Sequence, residues 1–481
     1  MASYNSDDIN KAVTKIEALL LEEPDLSPSL KASIEMLLLV VNLLANKTVK
    51  NSRNSSVPPS ADPNRKKDIK PKSDKKPGGQ FNHIGSTLQK NEHPDEVEYI
   101  HIDTQILPVG NYIEDGFESR QVVDIKISRV VTEYRAQILK DEKGNRFVAQ
   151  FPDSISRPIQ YGASVKENSV YMSMFQLIPY ERIRTHFAEL FDIQISAGSL
   201  YNFNREAYDA LSEFDKLAKF KLAHSDIMHV DETGINISGK RLWLHGASNL
   251  HWSYFYPHEK RGCEAMNEIN IIPNFNGVLC HDHWKPYYKY SCLHTLCNAH
   301  HFRELIYAYE NDNQKWAKAM HTFLETLNIK VKKNGGILNQ DQQNKALKAY
   351  RKILKQGEKE SPKRVREKSD TKKGKMAQSK SRNLLDRLIN YESDTLRFMT
   401  SEIVPFTNNQ GERDIRMTKV QQKISGCFRS MDGAKTFCLI RSYLSTCKKN
   451  NVQMSNALGH IFSGTWPEFI QIEFDQMKCA E

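Results

Sequence analysis

Residues 227–239 read IMHVDETGINISG. The stretch has the character of a buried strand that carries Asp231 and Glu232 to its end, just before a turn containing Gly234. Neighbouring strand residues point to opposite faces, so Asp231 shares a side with Ile227 and His229, and Glu232 with Met228 and Val230. This alternation does not decide which acid faces a ligand. The chain is basic overall, with 68 Lys and Arg against 58 Asp and Glu and a formal charge of +10. Paired carboxylates where a hydrophobic strand stops therefore need a physical reason.

Strand-like stretches follow at 241–248 (RLWLHGAS) and 251–257 (HWSYFYP), then a helix near 261–270. NGVLCHDHW, residues 276–284, reads as a second buried strand, ending at Asp282. LHTLCNAH, from Leu293, is a shorter strand running into the helix AHHFRELIYAYE. A long Lys- and Gln-rich helical region covers 309–398. After Pro405, NQGERDIRMTKVQQK predicts one more helix, with Glu412 near its start. The order βββ-α-β-α-β-α, interrupted by a helical insert, implies an α/β arrangement on a mixed sheet.

Asp231, Asp282 and Glu412 are thus candidates for one cluster. Two unit charges about 4 Å apart repel by roughly 4 kcal/mol at an effective dielectric of 20, and three such pairs by on the order of 12 kcal/mol. Divalent cations offset that repulsion, and oxygen-only ligands suit Mg²⁺ or Mn²⁺. Two such ions flanking a phosphodiester activate the attacking oxygen and stabilise the leaving one. The positive charge lies elsewhere. Residues 345–382 hold 15 Lys and Arg against 4 Asp and Glu, and residues 51–90 hold 9 against 3. Two basic stretches on a mildly acidic body fit a polyanionic partner such as nucleic acid, or two solvated segments.

The 481 residues predict several domains. Residues 1–50 form a helical hairpin in which Leu30, Ile34, Leu37, Val41 and Leu44 make a short heptad seam, for dimerisation or for packing on the same chain. Residues 51–95 are a basic linker. Residues 96–178 alternate like strands, as in QVVDIKISRVVTEYRAQIL, and predict a small β-rich module with a turn at Lys143–Asn145. Residues 179–222 predict a helix-turn-helix-like unit, with Ser196 capping its second helix. The catalytic core then occupies 223–308 and 399–446, split by the basic helical insertion at 309–398 and followed by a helical tail at 447–481. Mean hydropathy is −0.60 and no apolar run is long enough to span a bilayer, so a cytoplasmic protein is expected. The eight cysteines include no CxxC pair, and none precedes Cys263.

Three blocks, HVDETG with WLHGASN, CHDHWKPY with HTLCNAHHFREL, and NNQGERDIR with KISGCFRS, resemble in order the catalytic blocks of insertion-sequence-66 family transposases. Upstream, NSRNSSVPPSADP, KKPGGQ, GSTL and PDEV are similar to that family's linker, and QYGASVKENSVYMSMFQLIPYERI to its pre-catalytic region. The resemblance implies an RNase H-like core with an Asp-Asp-Glu triad: Asp231 bridging two metal ions, Asp282 and Glu412 each holding one. It implies a bacterial enzyme that cuts double-stranded DNA at the terminal inverted repeats of its element. The freed 3′-OH then attacks target DNA, in a dimer or higher oligomer with possible accessory proteins of the element. The family's Cys-rich zinc element has no counterpart here, since "IDTQILPVGN" and "ILKDEKGN" contain no cysteine; this argues against zinc in that module.

Glu412, Arg416, Lys419 and Lys423 share one helix face, and Arg413, Arg416, Lys423 and Arg429 are candidate phosphate contacts; the plain alternative is a surface ion pair. His281 and His283 flank Asp282 but are not the donors a hard cation selects. Cys297 and His300 form a CxxH read as positioning or packing, because no second Cys/His pair is near in sequence. Trp284 stacks on an unpaired base or sits in the core. Two other readings remain open: a catalytically silent DNA-binding descendant of a transposase, and an RNase H-like nuclease without strand transfer.

Overall fold

The computed structural model describes residues 15, 16, 19, 20, 26–49, 51–55, 62, 88–364 and 376–480. Its centre is a five-stranded sheet of β3 (Ile227–Ile237), β4 (Lys240–Ser248), β5 (Ser253–His258), β6 (Val278–His281) and β7 (Leu293–Leu296), in the order β5-β4-β3-β6-β7. β3, β4 and β5 pair antiparallel; β6 and β7 run parallel to β3. The sheet is mixed, as the sequence implies.

The β3–β4 hairpin turns on Ser238 (φ 50°) and Gly239 (φ 79°), two consecutive positive-φ residues whose twist suits a two-residue connection. The turn thus falls later than expected. Gly234 stays inside the strand, because the Arg241 side chain crosses it: a Cβ there would lie 2.9 Å from Arg241 Nε. Asp231 consequently sits within β3 rather than at its end. It is the parallel neighbour β6 that stops beside it.

The free edge of β5 is covered. Helix residues Ser442 and Thr446 accept hydrogen bonds from the backbone N–H groups of Phe255 (2.8 Å) and Ser253 (3.1 Å). Blocking an edge in this way removes a template for strand pairing with other chains.

In chain order the helices are α1 (Pro28–Val49), α2 (Ala163–Val170), α3 (Tyr180–Phe191), α4 (Ala197–Ala210), α5 (Ser212–Ala223), α6 (Cys263–Ile269), α7 (Asn298–Asn311), α8 (Lys315–Lys333), α9 (Gln340–Glu360), α10 (Lys380–Asn390), α11 (Glu392–Leu396), α12 (Asn409–Ser425), α13 (Met431–Lys449), α14 (Met454–Ser463) and α15 (Glu468–Ala480). Helices α3 and α4 make the expected pair, with Asp192 left-handed in the connection and Ser196 Oγ accepting from Ser199 N at 2.9 Å. Leu200, Phe203, Phe214 and Leu217 from α4 and α5 belong to the same core as the sheet. Helices α7 to α11 build a second core around Trp316, Met320, Leu324, Tyr350 and Leu385. Gly357 lets α9 come close there, since a Cβ would lie 2.7 Å from Leu385 Cδ1. Among the described residues, the helices expected at 309–398 therefore pack around a core of their own, with Arg382 also buried.

The stretch expected to be β-rich differs. Of residues 96–178, only β1 (Ile138–Lys140) and β2 (Arg146–Val148) are strands, a hairpin closed over Asp141–Asn145. Residues 121–137 alternate like a strand but pair with nothing regular, and Val122, Ile125, Ile127 and Val130 are exposed. Alternation stabilises a strand only where one face is buried. In α1 the heptad residues Leu30 and Leu37 are 49% and 64% exposed, so the described residues do not cover that seam; the side chain of Leu44 and most of the first expected helix lie outside the described residues. Among the described residues no helix is long and apolar enough to cross a membrane.

Candidate active site

Register brings the first two acids together. Ile227, Met228 and His229 of β3 pair with Val278, Leu279 and Cys280 of β6. Continuing that parallel register two residues places Asp231 beside Asp282, just beyond the end of β6. Adjacent strands lie about 4.8 Å apart, so two carboxylates there share one electrostatic environment. Burial pushes the Asp231 carboxyl well above the ordinary carboxylate range, and the charges of Glu232, Asp282 and Glu412 add to the shift. Asp282 and Glu412 thus both act on Asp231, although among the described residues the ligand atoms of these three acids do not all lie within 4.8 Å of one another.

The structure also separates Asp231 from Glu232. Glu232 is held inside the protein: Arg261 donates to its Oε1 through Nε (2.9 Å) and Nη2 (2.6 Å), and the Tyr287 hydroxyl donates to its Oε2 at 2.5 Å. Its side chain is 1% exposed. The Arg261 guanidinium lies 4.8 Å from the Trp243 ring and 4.3 Å from the Trp284 ring. Asp231, on the other face, accepts from the Glu232 backbone N–H at 2.9 Å. Glu232 accepts three hydrogen bonds from side chains inside the protein, whereas Asp231 accepts one, from the backbone.

Glu412 arrives on α12, which is fastened across β3 and β4. Asn408, the residue before the helix, is 1% exposed. Its Oδ1 meets His229 Nδ1 at 2.7 Å, its Nδ2 donates to the Val230 carbonyl at 2.8 Å, and its N–H points at Cys297 Sγ at 3.1 Å. Lys419 Nζ donates to the Gly234 carbonyl at 2.6 Å, which ties the middle of α12 to the strand. Beyond the helix, Phe428 N–H donates to Asn236 O and Ser238 N–H to Phe428 O.

Gly246 stands opposite Asp231 in the β3–β4 register. A Cβ on it would lie 2.5 Å from Ile415 Cγ2 on α12, so only glycine lets the helix sit this low. A β-branched side chain on a helix cannot rotate away readily. Gly246→Ala is expected to lower stability by about 1–3 kcal/mol through overpacking and to lift Glu412 from the other two acids. The double variant Gly246→Ala/Ile415→Ala should recover both stability and the thermal response to Mg²⁺. Recovery of neither would mean that this contact does not set the height of α12.

Asp231, Asp282 and Glu412 offer oxygen ligands, the donors that hard dications take, while the buried Glu412 Oε1 faces His300 Nδ1 at 3.9 Å. His281 is not part of this set: it is fully buried, pairs through Nε2 with His294 Nδ1 at 3.1 Å, and burial holds it well below the usual imidazole range. His283, at positive φ, packs edge-on against Tyr391. Trp284 donates its backbone N–H to Asp282 Oδ1 at 3.0 Å, and its half-buried ring lies against Tyr287 and Arg261 and also faces a cavity. Cys297 and His300 lie next to Glu412, a neighbour that the sequence spacing does not reveal.

Arg413, Arg416, Lys423 and Arg429 are exposed on α12 and the turn after it. A cavity of about 820 Å³ is lined by His283, Trp284 and Lys285, the residues after Asp282, and by Lys363, Arg387 and Tyr391 among others. Sequence reasoning missed Asn408, Arg261, Tyr287 and Gly246. The only local signal was an Asn before a helix start; the other three matter through partners distant in the chain.

No curated protein matches the chain. Residues 3–89 match a family of unknown function. Residues 159–436, more than half of the chain and a span that contains Asp231, Asp282 and Glu412, match the transposase IS66 family. The chain belongs to the transposase IS66 family.

Proposed function

We propose that this protein is a DNA transposase that cleaves strands at the ends of its element and joins the freed 3′-OH to target DNA at one carboxylate centre. Asp231, Asp282 and Glu412 would hold two divalent cations, Mg²⁺ or Mn²⁺, with Asp231 shared between them. When bound, the ions activate the attacking oxygen and stabilise the leaving oxygen of an in-line displacement at phosphorus. The observation that carries the reading is the β3–β6 register, which sets Asp282 level with Asp231, with Glu412 carried on the helix α12 that packs across β3.

The protein's own groups do the positioning. The Arg261–Tyr287 clamp on Glu232 fixes the strand from behind, so that Asp231 keeps one orientation. Asn408 and Gly246 fix the height and start of α12, and with them Glu412. Arg413, Arg416, Lys423 and Arg429 offer exposed cations along the path leading from Glu412, suited to a phosphate backbone. The antiparallel pair beside three parallel strands, in the order β5-β4-β3-β6-β7, supports an RNase H-like reading of the core. The seam on α1, left exposed by the described residues, supports assembly into a dimer or higher oligomer on DNA.

The test is cleavage of DNA carrying the element's own ends, with and without Mg²⁺. Asp231→Asn, Asp282→Asn and Glu412→Gln are each expected to abolish nicking and joining while DNA binding persists. Binding without nicking by the wild type would favour a silent DNA-binding protein. Nicking with no joined products would favour a nuclease.

A further inference from the structure

Three ligand atoms of different chemistry meet on the α7 side of Glu412. The Cys297 thiol, a ring nitrogen of His300 and a carboxylate oxygen of Glu412 all lie within 4.8 Å of one another. Cys297 is the residue before α7 and His300 is in its first turn, so one helix start presents both. Glu412 comes from α12, more than a hundred residues later.

Two features set this group apart from ordinary packing. His300 Nδ1 and Glu412 Oε1 are both buried atoms without a hydrogen-bond partner. They face each other at 3.9 Å, too far for a hydrogen bond. Buried polar atoms are nearly always paired, so two orphans across one gap call for something between them. A cation bonded to each at about 2 Å fits between them once the two atoms close to about 3.3 Å, the separation across a tetrahedral centre, and a Zn–S bond of about 2.3 Å reaches the thiol after a similar contraction.

We propose that Cys297, His300 and Glu412 form a site for a thiophilic dication, of which Zn²⁺ is the type, separate in donor chemistry from the all-oxygen centre. The set of one sulfur, one nitrogen and one oxygen selects zinc or cobalt over magnesium. Three protein ligands leave the fourth tetrahedral position for water. Binding displaces the thiol proton to solvent, and Cys297 remains hydrogen-bonded to the Asn408 N–H as a thiolate.

Glu412 belongs to both sets. An ion seated on Cys297 and His300 draws its carboxylate toward α7 and away from Asp231 and Asp282. Zn²⁺ therefore acts as an inhibitor that disassembles the carboxylate trio. This inhibitory consequence rests on the function proposed above, whereas the binding site itself does not.

Co²⁺ as a spectroscopic probe tests the site without DNA. The full-length protein with Co²⁺ should show a near-ultraviolet thiolate-to-cobalt band at one equivalent, displaced by Zn²⁺. Cys297→Ser should lose the band and bind Zn²⁺ at least tenfold more weakly in equilibrium dialysis. His300→Ala should weaken Zn²⁺ binding to a similar degree, which keeps the test decisive if the serine variant does not fold. Asp231→Asn should leave the band unchanged. A band that survives Cys297→Ser, or no band in the wild type, overturns the site. For the inhibitory role, Zn²⁺ added at saturating Mg²⁺ should suppress cleavage in the wild type and suppress it at least tenfold less potently in Cys297→Ser. Equal potency in both overturns inhibition through this site. If the wild type does not cleave at all, the functional proposal fails while the cobalt result still decides the site.

Discussion

Asp231→Asn is expected to raise the melting temperature of the metal-free protein and to remove most of the stabilisation that Mg²⁺ gives the wild type. The cause is the environment of this one carboxyl. Burial disfavours its charged form, and Glu232, Asp282 and Glu412 each add repulsion. Asparagine keeps the shape and the acceptor for the Glu232 N–H but carries no charge. Relief of each kcal/mol of repulsion should appear as roughly 2–4 °C in a body of 150–250 residues. The wild type, by contrast, should gain about 2.7 kcal/mol at a Mg²⁺ concentration a hundred times its dissociation constant.

The pH dependence follows with a definite sign. The folded-state pKa of Asp231 lies above its unfolded value. The native state therefore binds the extra proton, and its contribution to stability is complete below the unfolded value of about 3.8 and is lost as pH rises through the raised folded value. Metal-free wild type should grow less stable over that window, and Asp231→Asn should show a flatter profile. Calorimetry across pH, with and without Mg²⁺, checks both statements. Parallel shifts on adding Mg²⁺ in wild type and variant would remove Asp231 from the metal-binding group.

What the sequence made legible is the pattern that depends on local periodicity. The strands around Asp231 and Asp282 stand out because Val278, Leu279 and Cys280 of β6 form an apolar run and β3 carries apolar residues along its length. Their 51-residue separation equals the register offset of the β3–β6 pair, so the two acids line up without further adjustment. Which of two adjacent acids faces the ligand was not legible. That depends on Arg261 and Tyr287, which reach Glu232 from 29 and 55 residues away. Gly234 was misleading for a similar reason: glycine marks turns, yet here it makes room for the Arg241 side chain crossing from the next strand. Residues 121–137 carry a strand pattern with no sheet to bury it, which periodicity cannot report. In the insertion, abundant lysine hides Trp316, Met320, Leu324, Leu327 and Val331, which are a buried stripe at helical spacing.

Arg261→Ala is expected to destabilise the protein more than any other single change at this site outside the carboxylates. Arg261 donates twice to a carboxylate whose side chain is 1% exposed, and removing it leaves that charge buried beside Asp231 and Asp282. Breaking one half of a buried ion pair typically costs about 3–5 kcal/mol, and because the Arg261 side chain is 38% exposed the loss here is expected at or below the low end of that range. The guanidinium also bridges the Trp243 and Trp284 rings, so alanine opens a gap between two indoles. Burial and the Asp282 charge already hold the Glu232 carboxyl above its usual range, and the Tyr287 hydroxyl and Arg261 are what oppose the shift. Without Arg261 the shift grows, so the variant should lose stability progressively as pH rises and recover part of it in acid. Adding Glu232→Gln removes the stranded charge, and the double variant should regain a large part of the loss while the indole gap remains. Urea unfolding of the three variants at two pH values separates the charge from the packing. A loss under about 0.5 kcal/mol for Arg261→Ala, typical of a surface substitution, would mean that Glu232 is not held by this clamp and that the orientation of Asp231 is set by something else.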